Sequence, residues 1–194
     1  MRRSLDFPLV LAAVAVIGLL APATVAAGND RDRREVVTFV SRAELIAKGL
    51  IVPTTGSSSV GTQALCVWDC IYVKNKRYLR TLKPFVTMVK GNGPTTIAID
   101  ITRTVKNSFA ATVSVSAEIV TAGVGFNVER SETVAYRSST TVPNGACWTI
   151  RAYNVFSEYS FEIWQEPFIG SDKKIGSGAA RDFQGVEFRL SKWC

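Results

Sequence analysis

The C-terminal region of the chain alternates apolar and polar residues with a period of two, and no other feature of the sequence constrains the fold as strongly. In residues 95–105, Ile97, Ile99 and Ile101 fall on one face, and polar or small residues fall on the other. This pattern is typical of an antiparallel strand that is buried on one side only. No long stretch shows the period of a helix. Residues 63–194 therefore predict an all-β domain, built as an antiparallel β-sandwich or an elongated sheet.

The same alternation places the remaining strands, about seven or eight in all. A turn is expected at residues 142–145, because proline presets one backbone torsion and Asn-Gly accepts positive ones. Glycines predict a bend at 121–125 and a loop at 170–178. The other strands are expected at 109–119, 126–136, 146–156, 158–165 and 185–190.

Residues 1–27 carry Arg2 and Arg3, then an apolar run over 7–20, then small residues that end at Ala27. This order is typical of a secretory signal peptide. A transmembrane anchor is the other interpretation, but the run has about 14 residues, whereas a helix needs roughly 20 to cross a bilayer. We expect cleavage near Ala27 and a secreted, extracellular protein.

Export decides how the four cysteines are interpreted, because an oxidising compartment favours disulfides. If residues 65–73 form a strand, Cys66 and Cys70 lie roughly 13 Å apart, too far for a bridge, and each pairs with Cys147 or Cys194. If that segment is a helical turn, the pairs are Cys66–Cys70 and Cys147–Cys194. A zinc site of four thiolates needs closely spaced ligand pairs, so we expect no metal.

Residues 28–62 are expected to be a flexible N-terminal segment with a short docking element. They begin with a charged stretch and end with a linker rich in Ser, Thr and Gly. Ser41 and Glu44 have the spacing of a capping box, which predicts a helix over 42–48. Because so short a helix is marginal in water, the apolar island 36–53 must dock on its own domain or on another protein. Its candidate docking residues are Val37, Phe39, Val40, Leu45, Ile46, Leu50 and Ile51.

The chain has no histidine, which excludes Ser-His-Asp and Cys-His nucleophilic sites and histidine-ligated metals. Glu158, Glu162 and Glu166 are regularly spaced. On a strand, however, the first two lie about 13 Å apart, a distance that suits solvated charges better than a catalytic pair. We expect no enzyme activity and no cofactor.

The formal net charge is +7 at pH 7, an excess that favours anionic glycans, an anionic surface or nucleic acid as partners. Export makes nucleic acid the least expected of these, and we predict that the chain does not bind it. The densest basic run, residues 74–83, is expected to be a strand edge or turn where lysines prevent edge-to-edge pairing.

Residues 148–168 are rich in aromatic side chains, and alternation sorts them between core and surface. Tyr153 and Trp164 fall on the polar faces of their strands, and Arg151 lies beside Tyr153. Aromatic rings on an exposed sheet face stack on sugar rings or anchor a protein interface. These three residues are the candidate binding residues. A cross-strand pair that only shields the sheet is the alternative.

Residues 108–139 predict a hairpin whose arms carry an apolar face opposite a face of Ser and Thr. Strands of about 9–11 residues with this pattern suit a barrel that has lipid on one side and water on the other. The sequences TVSVSAE at 112–118 and AGVGF at 122–126 lead into the Ser/Thr-rich 131–141. They resemble the strand region of aerolysin-like pore-forming proteins, and the likeness covers residues 95–165. It implies a membrane-inserting hairpin, with candidate residues Val113, Val115, Ile119, Phe126 and Val128.

The tethered island 36–53 and the overall layout resemble small secreted actinobacterial β proteins. Some of these connect a lectin-like subunit to a toxin-bearing one in secreted toxin particles. The resemblance implies a non-enzymatic connector that binds another secreted protein. The alternatives are a small aerolysin-like pore former that acts on membranes, and a glycan-binding module.

Overall fold

Two antiparallel sheets and two short helices make up the part of the chain that a computed structural model describes, residues 35–53 and 70–194. The predicted signal peptide, the charged stretch up to residue 34 and the linker with Cys66 lie outside the described residues. In chain order the elements are β1 Val36–Ser41, α1 Arg42–Ala47, β2 Ile51–Pro53, β3 Cys70–Leu82, β4 Phe85–Asn92, β5 Thr95–Lys106, β6 Ser108–Ala111, α2 Ala117–Val124, β7 Ser131–Val142, β8 Cys147–Glu166 and β9 Lys173–Lys192.

The hairpin β8–β9, with 20 residues in each strand, is the centre of the six-stranded large sheet. β1 and β6 pair with β9, β3 and β4 pair with β8, and all the pairs are antiparallel. The three-stranded small sheet has the order β2-β7-β5. The predicted all-β fold of antiparallel sheets is confirmed. Within it, Ile97 and Ile99 of β5 are buried as alternation predicts.

The hairpin is longer than the sequence indicates. Separate strands were predicted at 146–156 and 158–165, but β8 passes through Ser157 without a turn. The predicted loop at 170–178 is wrong in its second part, because β9 begins at Lys173. Glycine marks close packing there: a Cβ on Gly178 would lie 2.4 Å from a ring carbon of Phe161.

The two halves of the hairpin are buried on opposite faces. In residues 147–156 of β8, the even-numbered Ile150 and Ala152 share a core with the small sheet, and we call this the sandwich half. In residues 157–166, the odd-numbered Phe161 and Ile163 share a second core with α2, and we call this the helix half. Each half therefore keeps one face that no described element covers.

β9 accommodates the change of face with a bulge. Val155 pairs with Gly185 and Phe156 pairs with Phe183, so Gln184 has no partner on β8. An extra residue shifts the alternation of one strand against the other. For this reason Ala180 and Val186, both even-numbered and both buried, lie in different cores.

The predicted hairpin over 108–139 is wrong, because its centre is the helix α2. Ser116 caps the helix by accepting a hydrogen bond from the amide of Ile119 at 3.4 Å. Gly125 ends it in the left-handed conformation, at φ 78°, which glycine adopts without steric cost. Val113, Val115, Phe126 and Val128 pack in the second core, and Ile119 is half-buried on the helix.

The apolar island 36–53 docks on its own domain and joins both sheets. β1 pairs with β9 along its whole length, and β2 pairs with β7. The predicted helix is confirmed as α1, where Ser41 Oγ accepts from the amide of Glu44 at 3.2 Å. The sequence allows residues 36–53 to dock on their own domain or on another protein. In the structure they dock on their own domain, and they are not a free tether.

The docking residues divide between core and surface. Leu45 and Ile51 are buried in the first core, and Val40 and Leu50 are half-buried against it. Val37, Phe39 and Ile46 are exposed. The pairing of β1 turns the odd-numbered Val37 and Phe39 away from the core, and Ile46 lies on the exposed side of α1.

Cys147 and Cys194 form a disulfide, with Cα atoms 5.5 Å apart. Cys70 is also disulfide-bonded. The pairing of Cys66 and Cys70 with Cys147 or Cys194, expected for a strand at 65–73, is therefore wrong. The hairpin supplies the reason, since β8 begins at Cys147 opposite the end of β9 and brings the last residue next to it.

Candidate protein-binding face

The sandwich half presents two rows of side chains on the face that points away from the small sheet. We call this surface the open face. Each row crosses four strands in the order β1, β9, β8, β4, and its members are direct cross-strand partners. The first row is Val37, Arg189, Arg151 and Met88, and the second row is Phe39, Glu187, Tyr153 and Phe85.

The margins of the open face are apolar and exposed. Val37 and Phe39 on β1 are each 47% exposed, Phe85 on β4 is 57% exposed and Met88 is 50% exposed. Single exposed apolar residues are ordinary on protein surfaces, but contiguous ones mark interaction sites. Val37 and Phe39 form one exposed pair on β1, Phe85 and Met88 form another on β4, and the charged and aromatic side chains of β9 and β8 lie between the two pairs.

Tyr153 is held rigidly between the two margins. The Phe85 ring meets it edge to face, with centroids 5.8 Å apart. The guanidinium carbon of Arg189 lies 4.9 Å from the centroid of the Tyr153 ring. Such contacts fix the ring before any partner arrives. They also occupy one face of the ring, which leaves less of it for stacking on a sugar.

Glu187 anchors the centre of the face. Its buried carboxylate accepts hydrogen bonds from Lys83 Nζ at 2.5 Å and from Arg189 Nε at 2.6 Å. Burial raises the pKa of this carboxyl, but the two hydrogen bonds outweigh burial and the pKa lies below its usual value. Glu187 is thus ionised, and it orients Arg189 over Tyr153.

The open face keeps uncompensated positive charge. Arg151 donates from Nη1 to Ser191 Oγ at 3.0 Å and forms no ion pair with any described residue. Lys90 lies two residues after Met88 on β4, and its Nζ is 5.4 Å from the centroid of the Trp193 ring. By contrast, Arg189 is matched by Glu187 and lies 3.9 Å from a carboxylate oxygen of Glu35. Cations without a partner favour an acidic binding surface.

The structure brings together residues that the sequence placed in separate groups. Arg151 and Tyr153 were predicted as binding residues, and Val37 and Phe39 as docking residues. All four lie on the open face, because β9 joins β1 to β8. The sequence analysis missed Phe85, Met88 and Arg189. Alternation does not reveal Phe85 and Met88, because the register shift between Phe85 and Thr87 puts an odd and an even position of β4 on the same face.

Trp164 is not part of this surface. It lies eleven residues beyond Tyr153 on the same strand, roughly 36 Å away at about 3.3 Å per residue, and on the opposite face. Its indole nitrogen donates to Glu162 Oε2 at 3.1 Å, and Lys74 Nζ lies 5.1 Å from its ring centroid. The two aromatic residues therefore do not form one patch, and Trp164 is already engaged within the chain.

Known proteins do not add a family to this picture. No protein-family model matches the chain, and no curated protein matches it. The function therefore has to be inferred from the open face itself.

Proposed function

We propose that this chain is an exported, non-catalytic binding protein whose open face holds another extracellular protein. The observation that carries the proposal is a surface on which exposed apolar residues of β1 and β4 flank Arg151, Tyr153 and Arg189 on both sides. Tyrosine, phenylalanine, methionine and arginine are the residues enriched in protein interfaces, and tyrosine and arginine are frequent binding hot spots. The uncompensated charge of Arg151 favours a partner with an acidic surface.

Export is supported by the disulfide between Cys147 and Cys194, since such bonds persist in oxidising compartments. The predicted signal peptide at residues 1–27 agrees with it. Within residues 35–53 and 70–194, no helix has the length and apolar character needed to cross a membrane.

The finer role that we propose is an adaptor subunit of an extracellular toxin complex, which the resemblance of the sequence to secreted connector proteins suggests. The open face supplies one of the two surfaces that such a subunit needs. Pore formation has no comparable support. A membrane-inserting hairpin at 108–139 would require α2 to unfold and Val120 and Val124 to leave the second core.

Site-specific photo-crosslinking tests the proposal. A photoreactive amino acid replaces Phe85 on the open face, and Leu79, 52% exposed on β3 of the helix half, serves as the matched control position. Crosslinking is carried out in the secretion medium of cells that produce the protein. We expect one protein adduct from position 85 that is absent from position 79.

The partner identified in this way is then purified, and its affinity for the full secreted chain is measured by calorimetry. We expect Phe85→Ser and Arg151→Glu to weaken binding about tenfold or more, as at interface hot spots, and Leu79→Ser to leave it unchanged. Equal affinity for all three variants contradicts the proposal. Binding of an anionic glycan or vesicle that depends on Tyr153, without any protein adduct, also contradicts it.

A further inference from the structure

We propose that the free edge of β1 joins two copies of this chain, with β1 pairing antiparallel to β1 of the second copy about a twofold axis at Thr38. The two large sheets then form one continuous sheet. This inference goes beyond the proposed function and depends on the backbone edge of β1, although Val37 and Phe39 also belong to the open face.

β1 pairs with β9 on one side, and no described strand pairs with its other side. An unpaired edge presents a row of N–H and C=O groups that can accept another strand. Proteins block such edges with charged side chains, bulges or very short strands. The edge strands of this structure can therefore be compared for these devices.

Every other edge strand of the two sheets within the described residues carries one of them. β3 and β4 have register shifts and basic residues, β5 has exposed charges, and β2 and β6 have only three and four residues. The charged residues concerned are Lys74, Lys76, Arg77 and Arg80 on β3, Lys90 on β4, and Asp100, Arg103 and Lys106 on β5.

β1 has none of these devices. Its six residues, Val-Val-Thr-Phe-Val-Ser, include no charge and no proline, and its register with β9 is unbroken. Val36 is 55% exposed, and Val37 and Phe39 are also exposed. An edge strand of this kind is the feature that folded monomers avoid.

The strand is complementary to itself. A twofold axis normal to the sheet keeps each face on its own side, so pairing about Thr38 sets Val37 opposite the second copy's Phe39 on the open face. On the other face it sets Val36 opposite the second copy's Val40, and the two Thr38 residues meet at the axis. Apolar residues meet apolar ones, threonine meets threonine, and no like charges oppose each other within the strand.

Pairing also joins the two open faces. Val37 and Phe39 keep their side chains on that surface, and the dimer places both copies of them side by side at its centre. A dimer of this form presents two equal sites on one surface. A second copy is the occupant that we argue for, because its match to β1 extends over the whole strand.

Cysteine crosslinking of the full secreted chain tests the register. In the proposed pairing the two Thr38 Cα atoms lie about 4.5–5.5 Å apart, within the range that a disulfide spans. We expect Thr38→Cys to form a covalent dimer under mild oxidation. Val36→Cys is the matched control, since two cysteines there are separated by roughly 13 Å along the strands and are expected to stay unlinked.

Sedimentation of the unmodified chain gives a readout without new cysteines. We expect a concentration-dependent dimer, and we expect Val37→Lys to weaken it about tenfold or more, because a lysine on an edge strand opposes pairing. Equal crosslinking of both cysteine variants, or a monomer at every soluble concentration, overturns the inference. An edge covered by residues 1–34 or by a different protein gives the same monomer and overturns it as well.

The two proposals fail separately. The open-face test uses Phe85 and Arg151, which lie on β4 and β8 away from the β1 edge. Loss of the dimer therefore leaves that measurement unaffected.

Discussion

The two halves of the β8–β9 hairpin use the same two strands to build different structures. In the sandwich half, fifteen of the described residues form the buried core with the small sheet. In the helix half, six form the core with α2. The bulge at Gln184 lies between the two halves and shifts the alternation of β9 relative to β8. One hairpin can therefore support two architectures when its burial changes face midway.

The uncovered faces of the two halves differ in chemistry. On the helix half, the carboxylate of Glu158 accepts from Arg80 at 2.7 Å and from Arg181 at 2.9 Å, so this carboxylate is paired within the chain. On the sandwich half, the open face is apolar at its margins and Arg151 has no described ion partner.

Removing an aromatic ring from each core tests whether the halves are separate units. Phe161 and Phe183 are both almost fully buried, one in each core, and truncation to alanine is expected to cost about 3–5 kcal/mol of stability. We expect Phe161→Ala to accelerate amide exchange in α2 and β6 while β5 and β7 stay protected. Phe183→Ala is expected to accelerate exchange in β5 and β7 while α2 stays protected, because Phe183 packs only in the first core, and identical exchange patterns for the two variants contradict the comparison.

The junction between the halves is tested at Gly185, next to the bulge. A Cβ there would lie 2.2 Å from the carbonyl oxygen of Val40, and φ is +151°. We expect Gly185→Ala to lower the free energy of unfolding by about 2–4 kcal/mol, measured with urea. Gly49→Ala, at φ +65° with no atom within 4 Å, is the control and is expected to cost about 1 kcal/mol. Equal losses in the two variants contradict the close contact.

The cap of α2 gives a smaller effect that should stay within the helix half. Ser116→Ala removes the acceptor of the Ile119 amide and is expected to cost about 1 kcal/mol. The measurement is urea unfolding together with amide exchange of α2. Ser114→Ala, an exposed serine in the same segment, is expected to change neither. Faster amide exchange in β5 or β7 of the Ser116→Ala variant contradicts the separation of the halves.

The smallest effect concerns acid stability. Hydrogen bonds from Lys174, Asn75 and Trp164 lower the pKa of Glu162 to about 2. Because the pKa is lower in the folded state, this carboxylate stabilises the fold above its ordinary pKa, and the contribution is lost as the pH falls towards 2.

We expect Glu162→Gln to flatten the dependence of the urea midpoint on pH between about pH 5 and 2. Glu129→Gln, an exposed carboxylate without an ion pair among the described residues, is the control and is expected to leave the curve unchanged. An unchanged curve for Glu162→Gln contradicts the ionic description of the helix half.

Alternation predicted strand character correctly where one face is buried along the whole element, as in β5. It did not predict which face β8 buries, because the strand is apolar on even positions in one half and on odd positions in the other. In β9 the even positions Ala180 and Val186 look like one face, and only the unpaired Gln184 separates them. A bulge depends on the partner strand, so a single strand does not reveal it.

α2 shows the opposite case, in which a local signal was present. Ser116 and Gly125 are typical helix start and stop residues, but the alternation of residues 109–119 favoured a strand. The helix forms because its residues Val120 and Val124 pack in the second core with Phe161. The open face was beyond sequence reasoning for a different reason: Phe39, Tyr153 and Phe85 are neighbours only through strand order.

The disulfide between Cys147 and Cys194 has a mechanical consequence. It ties the last residue of the chain to the first residue of β8, at the open end of the central hairpin. Tension that acts through Cys194 is therefore shared by two strands through a covalent link, and β9 cannot be peeled away from β8 at this end.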